Sequence, residues 1–352
     1  MAFHKLAIQN IHKETAAAVT ITFNVPAALQ STFSFTAGQY ITLKTQINGQ
    51  EVRRDYSLCT SPTSKTLKVA VKAVEDGLFS QYANTTLKVG DIIEVAEPNG
   101  RFTFIPDTNK KRVIAAFAAG SGITPIMSIA KTVLEEEPQS EFILIYGNKT
   151  PKDTIFFNEL VELHQQYSDR FALQFIFSQA EEANALFGRI EKSTVNFLLK
   201  NTYKHKKIDT FYLCGPEGMI TTTSDVLKDF GVDEKDILFE LFTTPVSNDA
   251  PTEAPVANDG STNIKIIVDD EETEFVMSQK QSILDAAIAK KVDAPYSCQG
   301  GICSSCIARV TEGAATMRQN NILTDSELAE GLILTCQAHP TTPTIVVDYD
   351  DV

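Results

Sequence analysis

The chain has no stretch approaching the ~20 consecutive apolar residues of a membrane-spanning helix. Its opening MAFHKLAIQN lacks the apolar run of a secretory signal, which predicts a cytoplasmic protein. Positive charge is also short: 31 Lys and Arg stand against 45 Asp and Glu, a net of −14. Nucleic acid is therefore excluded as a partner, because phosphate backbones are held by basic patches. A second C-x2-C knuckle is missing, so the six cysteines do not read as a structural zinc site. A disulfide framework suits a small secreted domain, and a chain of 352 residues is not small. At that length two or three domains can each bury a core. The 43% apolar and 22% charged content is ordinary for a globular protein.

What is present is concentrated near the end, in PYSCQGGICSSCIARV. Cys298, Cys303 and Cys306 form a C-x4-C-x2-C run, and Cys336 follows after 29 residues in LILTCQAHP. This is the plant-type [2Fe–2S] spacing. Two irons need four thiolates, and a tight loop has to deliver three of them around one cluster. Gly300 and Gly301 are expected to turn the loop with positive φ and to approach the sulfides without a Cβ. Ser304 and Ser305 are expected to keep small side chains and amide donors toward the sulfurs.

Charge is uneven along the chain. Residues 263–352 hold six Lys/Arg against fourteen Asp/Glu, a net of −8, whereas residues 1–243 carry a net of −3. An acidic domain on a nearly neutral body suits docking on a basic surface, although charge alone fits a solubilising surface equally well. Between them, TPVSNDAPTEAPVANDGST (244–262) is rich in Pro, Ala, Asn, Ser and Asp and reads as a linker.

Residues 1–106 read as β: VTITFNVP, QYITLKTQI, LKVAVKAV and DIIEVAEP alternate or run apolar between Gly, Pro and Asn breaks. Several short antiparallel strands of this kind predict a sandwich or barrel. Within them RRDYSLCTSP sets Arg54 two residues before Tyr56 and Ser57. That offers a fixed cation, a ring for stacking and a hydroxyl donor, or, taken alone, only a surface strand with a tyrosine.

From residue 107 to 243 strands alternate with helices, which predicts an α/β doubly wound parallel sheet. KRVIAAFAAG, EFILIYGN, FALQFIFS, DTFYLCG and ILFELF are the strands. PIMSIAKTVLEEE, TIFFNELVELHQQY, TVNFLLKNTY and GMITTTSDVLKDFG are the helices. Ligands of such sheets lie outside the carboxyl ends of the strands. The turn after the first strand, Gly120-Ser121-Gly122-Ile123-Thr124-Pro125, fails the Rossmann fingerprint because Pro replaces the last Gly. Proline at a helix start is otherwise well placed, since its missing N–H would be unpaired there anyway. In the last ninety residues NIKIIVDD and the following β segment predict a hairpin, SILDAAIAKKVD a helix and TIVVDYDDV a closing strand.

These motifs together resemble the ferredoxin–NADP reductase superfamily, and the PYSC and CSSC segments resemble plant-type ferredoxins. The order of parts is similar to that of oxygenase reductases with a C-terminal ferredoxin. The resemblance implies a multidomain chain: an FAD-binding antiparallel β-barrel (1–106), an NAD(P)-binding domain (107–243), the linker, and a β-grasp ferredoxin domain (263–352). It implies that Arg54 pairs with the flavin pyrophosphate, Tyr56 packs on the isoalloxazine and Ser57 sits near N5. Gly77, Leu78, Phe79 and Ser80 of GLFSQY would start the helix that receives the pyrophosphate, a segment more similar to FAD-binding than to FMN-binding relatives. Gly120, Gly122, Thr124 and Pro125 would cradle the nucleotide, and Gly215, Pro216 and Met219 of YLCGPEGM would line its nicotinamide side. Cys214 is either part of that site or a plain buried thiol. Glu240 is either a polar contact there or a solvated strand-end carboxylate.

The implied activity is an NAD(P)H-dependent electron-transfer reductase. A nicotinamide gives two electrons and a [2Fe–2S] centre takes one at a time, so a flavin between them matches the valence. The partner would be an oxygenase component or a small carrier protein. A stand-alone NAD(P)H:ferredoxin or flavodoxin reductase and a redox-sensing interaction protein are the alternatives. Lys149, in the turn IYGNKTPKD, suits the 2′-phosphate of NADPH, because no acid adjoins it to grip a ribose diol.

Overall fold

The structure is a computed structural model and describes residues 2–242 and 260–352. The expected linker lies outside the described residues as far as residue 259, and its last two residues already belong to a strand. The chain divides into two compact units, one ending at Phe242 and one comprising the described residues from Gly260.

In the first unit, β1 (Phe3–Thr15), β2 (Ala18–Asn24), β3 (Tyr40–Ile47), β4 (Gln50–Ser57), β5 (Lys68–Lys72) and β6 (Ile92–Ala96) form one sheet. Its antiparallel order is β4-β3-β6-β1-β2-β5. An antiparallel bridge from Leu58 to Val69 joins the two outer strands and closes the barrel. Alternate side chains such as Leu6, Ile21, Ile41, Leu43, Val69, Val71 and Val95 fill it. Each aliphatic side chain so buried contributes about 1.5–3 kcal/mol. Helix α1 (Leu78–Thr85) closes one end with Phe79 and Ala83.

The same unit continues with β7 (Val113–Ala119), α2 (Ile123–Glu136), β8 (Glu141–Asn148), α3 (Phe157–Gln166) and β9 (Phe171–Phe177). β10 (Ala185–Phe187), α4 (Lys192–Phe197), β11 (Thr210–Gly215), α5 (Glu217–Asp229) and β12 (Ile237–Leu241) complete it. The strands are parallel in the order β10-β9-β8-β7-β11-β12. Runs such as VIAAFAA are buried along their length, as a sheet covered on both faces requires. Strand order reverses at β7, whose neighbours are β8 and β11, so the crevice for a ligand opens beyond the ends of β7 and β11. Helix α3 starts later than the sequence suggests, because Phe156 takes φ +61° and interrupts the helical path. TVNFLLKNTY ends α4 at Phe197 and passes into a π-helical turn, Leu198–Thr202.

Barrel and sheet are stitched together within this unit. Glu137, fully buried, accepts the Asp107 N–H at 2.8 Å and pairs with Arg112, which also donates to the Ile105 carbonyl. The Tyr212 hydroxyl donates to the Thr103 carbonyl at 3.0 Å, and the Ser128 hydroxyl to the Thr60 carbonyl at 2.7 Å.

The second unit holds β13 (Ser261–Val268), β14 (Glu271–Ser278), α6 (Ile283–Ala289), β15 (Ile307–Glu312) and β16 (Ala315–Met317). α7 (Asp325–Ala329), β17 (Leu332–Leu334), β18 (Ala338–Pro340) and β19 (Thr344–Asp348) follow. Its main sheet runs β14-β13-β19-β15-β17, with β13 parallel to β19, and β16 pairs with β18 apart from it. Helix α6, capped by Ser282 Oγ accepting the Asp285 N–H at 3.1 Å, packs Ile283, Leu284 and Ala287 on Ile264, Ile345 and Val347. The cysteine loop lies between α6 and β15.

Candidate functional site

The pleat of β4 separates its two arginines. Arg53 is buried beside Lys44, paired with Glu51 at 2.8 Å and lying over the Phe3 ring, whereas Arg54 is exposed. Tyr56 is half-buried, its ring 5.4 Å from that of Phe79 on α1, and burial raises its pKa well above the ordinary tyrosine range. Gly77 is the residue before α1, and a Cβ there would lie 2.3 Å from Ser80 Oγ and 2.5 Å from Val74 Cγ2. Ser80 is buried and accepts the Val74 N–H, and Leu78 is exposed. No side chain caps α1, so its first amides are open to an anion. An exposed arginine, an aromatic pair and uncapped amides on adjoining elements fit a flavin diphosphate.

Three residues from distant parts of the sequence meet where barrel and sheet join. The Ser57 hydroxyl donates to Glu240 Oε2 at 3.2 Å, and Glu240 stands opposite Cys214 in the β11–β12 register. Burial pushes the Glu240 carboxyl up to about 8; the Ser57 hydroxyl draws it down and the Asp55 charge adds to the rise. Cys214 is fully buried, and burial followed by the charge of Glu240 holds its thiol well above the usual range. The cluster therefore presents a hydroxyl, a carboxyl that keeps its proton near neutrality and a neutral thiol.

At the switch point the two nucleotide turns touch. A Cβ on Gly122 would fall 2.1 Å from the Cys214 carbonyl oxygen, and one on Gly215 would fall 2.8 Å from Met219 Cε. Gly120 has φ +55°, and its carbonyl accepts the Tyr146 hydroxyl at 2.8 Å. Thr124 is buried and donates back to the Ser121 carbonyl, Pro125 is buried in the first turn of α2, and Pro216 precedes α5. No side chain caps α2. Lys149 is exposed in the turn after β8. Asp153 closes the same turn and accepts the Thr150 hydroxyl at 2.7 Å.

One neighbour of this site carries no sequence signal. Lys72, at the end of β5, brings Nζ within 3.4 Å of where a Cβ of Gly120 would be. Burial, and then the charge of Lys149, lowers its pKa, while Asp153 opposes the shift.

In the second unit the four predicted thiols associate in pairs. The side-chain hydrogen bond from Cys303, helped by the backbone N–H groups of Gly300, Ile302 and Cys303, lowers the Cys298 thiol to about 6 against the effect of burial. Cys306 and Cys336 share a hydrogen bond that lowers the Cys336 pKa and raises that of Cys306. The Gly300 N–H donates to Cys298 Sγ at 3.3 Å. Positive φ occurs at Gln299 (+52°) and Gly301 (+70°), not at Gly300, whose role is amide donation instead. The Ser297 hydroxyl is buried with no protein partner. Four soft sulfurs among amide donors are a donor set suited to an iron–sulfur cluster.

Comparison with known proteins agrees with this geometry. Residues 5–104 match the oxidoreductase FAD-binding domain, 117–225 the oxidoreductase NAD-binding domain, and 266–341 the 2Fe-2S iron-sulfur cluster binding domain. The chain is 39% identical over 350 residues to one of the subunits of 1,2-phenylacetyl-CoA epoxidase from Escherichia coli K12, covering 99% of this chain and 98% of that protein. It is 31% identical to the ferredoxin reductase component of 3-ketosteroid-9-alpha-monooxygenase from Rhodococcus rhodochrous, covering 98% and 96%. Phthalate dioxygenase reductase shares the fold with a TM-score of 0.60 at 24% identity, over 99% of this chain and 98% of that one. With three matched domains in this order and likeness along its whole length, the chain belongs to the family of oxygenase reductase components that unite FAD-binding, NAD-binding and [2Fe–2S] domains in one polypeptide.

Proposed function

We propose that this reductase draws on NADPH in preference to NADH and serves an oxygenase of the phenylacetyl-CoA epoxidase type in the cytoplasm. Likeness along the whole chain to the Escherichia coli epoxidase subunit supports the partner, and Lys72 and Lys149 beside the crevice support the nucleotide. The contact of Ser57 with Glu240 across the barrel and the sheet, backed by Cys214, supports the redox chemistry. The flavin, when bound, supplies the exchange between two-electron and one-electron chemistry. Arg54 and the amides of Leu78 to Ser80 hold its diphosphate, with Gly77 giving the close turn into the helix, and Tyr56 packs on its ring. Ser57 orients the reacting edge, while Glu240 keeps a proton on its carboxyl beside it. Gly120, Gly122, Thr124, Pro125, Gly215, Pro216 and Met219 shape the nucleotide crevice. Lys72 and Lys149 supply two cations beside it, and Asp153 is already engaged by Thr150. Cys298, Cys303, Cys306 and Cys336 hold the cluster that faces the protein partner.

Two measurements test this. Cys306→Ser is expected to lose the cluster and cytochrome c reduction while keeping flavin and NADPH-driven ferricyanide reduction; loss of ferricyanide reduction as complete as that of cytochrome c reduction overturns the linear order of centres. Parent kinetics with both nucleotides come next: NADPH is expected to be preferred, and Lys149→Glu to weaken its use more than that of NADH. Equal kinetics in the parent overturn the nucleotide assignment.

A further inference from the structure

The last strand of the iron–sulfur unit ends beside the cysteine loop. Tyr349, directly after β19, is 6% exposed, and its hydroxyl donates to Thr335 Oγ1 at 2.8 Å. Thr335 is fully buried and immediately precedes Cys336. Its hydroxyl and its amide both donate to the carbonyl of Cys306, at 2.9 and 3.1 Å, and its own carbonyl accepts the Leu284 N–H of α6 at 3.1 Å. The proton order is fixed by these partners. Because the Cys306 carbonyl can only accept, Thr335 donates to it, and Tyr349 in turn donates to Thr335.

The segment carrying Tyr349 is held on both sides. Its amide donates to the Ile267 carbonyl at 3.0 Å. The Asp350 carboxylate accepts the N–H groups of Asp269 and Asp270 at 2.9 Å each, at the tip of the β13–β14 hairpin, and Arg309 pairs with Asp351 at 3.1 Å. A phenylalanine would fill the same space, so the packing gives no reason for the hydroxyl. A buried hydroxyl is costly to leave unsatisfied; here it is satisfied by a residue that touches one predicted ligand and adjoins another.

We propose that Tyr349 is a positioning residue for the [2Fe–2S] centre, acting through Thr335 to fix the Cys306 carbonyl and the spacing of Cys306 and Cys336. The relay also aims successive donor dipoles toward the ligand loop, which favours the more negative, reduced cluster. Burial pushes the Tyr349 pKa well above the ordinary tyrosine range, so the hydroxyl remains a donor at working pH. The inference rests on Cys306 and Cys336 being cluster ligands.

The test uses the full-length protein loaded with flavin and cluster. Midpoint potentials are measured by EPR-monitored titration for the parent, Tyr349→Phe, Thr335→Ser, Thr335→Val and the Tyr349→Phe/Thr335→Val double variant. At a poise near the parent midpoint, the ratio of reduced to oxidised cluster is expected to fall about threefold in Tyr349→Phe. In Thr335→Val it is expected to fall about tenfold, equivalent to ~59 mV for one electron. Thr335→Ser stays within about twofold of the parent, and the double variant matches Thr335→Val, because members of one chain are not additive. The flavin midpoint stays fixed in all of them. An unmoved or raised cluster midpoint in Tyr349→Phe, with a parent-like EPR signal, overturns the relay, as does an additive double variant. A parent without a [2Fe–2S] signal overturns the ligand assignment itself and the relay with it.

Discussion

Replacing Glu240 by Gln tests the junction of barrel and sheet through proton linkage. The side chain keeps its size and its acceptor for Ser57 but can no longer ionise. In the parent, burial moves the carboxyl from an ordinary 4.5 to about 8. A carboxyl with a raised native pKa binds its proton more tightly folded than unfolded. Its stabilising contribution is therefore complete below about pH 4.5 and is lost as pH rises toward 8. About three and a half decades at about 1.4 kcal/mol each set an upper bound of about 5 kcal/mol. Glu240 is partly exposed, so screening by water brings the expected figure nearer 2 kcal/mol. Urea unfolding, followed by release of flavin fluorescence at half-unit steps from pH 5 to 9, is the assay. Glu240→Gln is expected to match the parent near pH 5 and to exceed its stability by about 2 kcal/mol at pH 9. NADPH-driven ferricyanide reduction should inflect above the ordinary carboxylate range in the parent and not in the variant. Parallel stability profiles in the two proteins would refute the buried-carboxyl argument.

Arg112→Ala leaves Glu137 as an uncompensated buried carboxylate and is expected to cost about 3–5 kcal/mol in urea unfolding of the flavin-containing unit. Burial alone would raise the Glu137 pKa, but hydrogen bonds from Arg112, Ser140 and the Asp107 amide outweigh it and hold it low. This pair therefore stabilises at neutral pH, and its contribution fades on acidification below the ordinary carboxylate range. Gly122→Ala sets a Cβ 2.1 Å from a backbone oxygen and is expected to cost about 1–3 kcal/mol while slowing flavin reduction by NADPH, read by stopped flow. Residues 263–352 carry a net of −8, so electron delivery to the protein partner is expected to fall steeply with salt, the screening length being about 8 Å at 0.15 M. Internal cluster reduction should respond much less, and equal responses would mark the acidic surface as merely solubilising.

Much of the fold was legible because its strands carry strong local patterns. The five principal parallel strands stand out as continuous apolar runs, and four barrel strands as alternating ones. Strand β1 escaped, since register shifts at Ile8/Asn10 and Lys13/Thr15 break its period of two. The three-residue strands β10, β16, β17 and β18 are too short to show any period. Among candidate site residues, spacing points to the cysteines, and the resemblance to the reductase superfamily points to the glycine turns. Glu240 admits two readings in the sequence because its environment depends on Ser57, 183 residues earlier in the chain. Lys72 was missed for the same reason: a single lysine at a strand end says nothing until the fold sets it against Gly120.

The links joining barrel and parallel sheet have an evolutionary consequence. Asp107, the first residue expected beyond the barrel, donates to Glu137, while Thr103 and Thr60 accept from Tyr212 and Ser128 on the other side. A recombination event that cut the gene there would strand a buried acid and several orphaned polar groups in both products. The heritable cassette is therefore the stretch from Phe3 to Phe242 taken whole. Chimaeras that exchange this pair as one piece should survive selection, whereas those that mix a barrel from one lineage with a sheet from another should be purged.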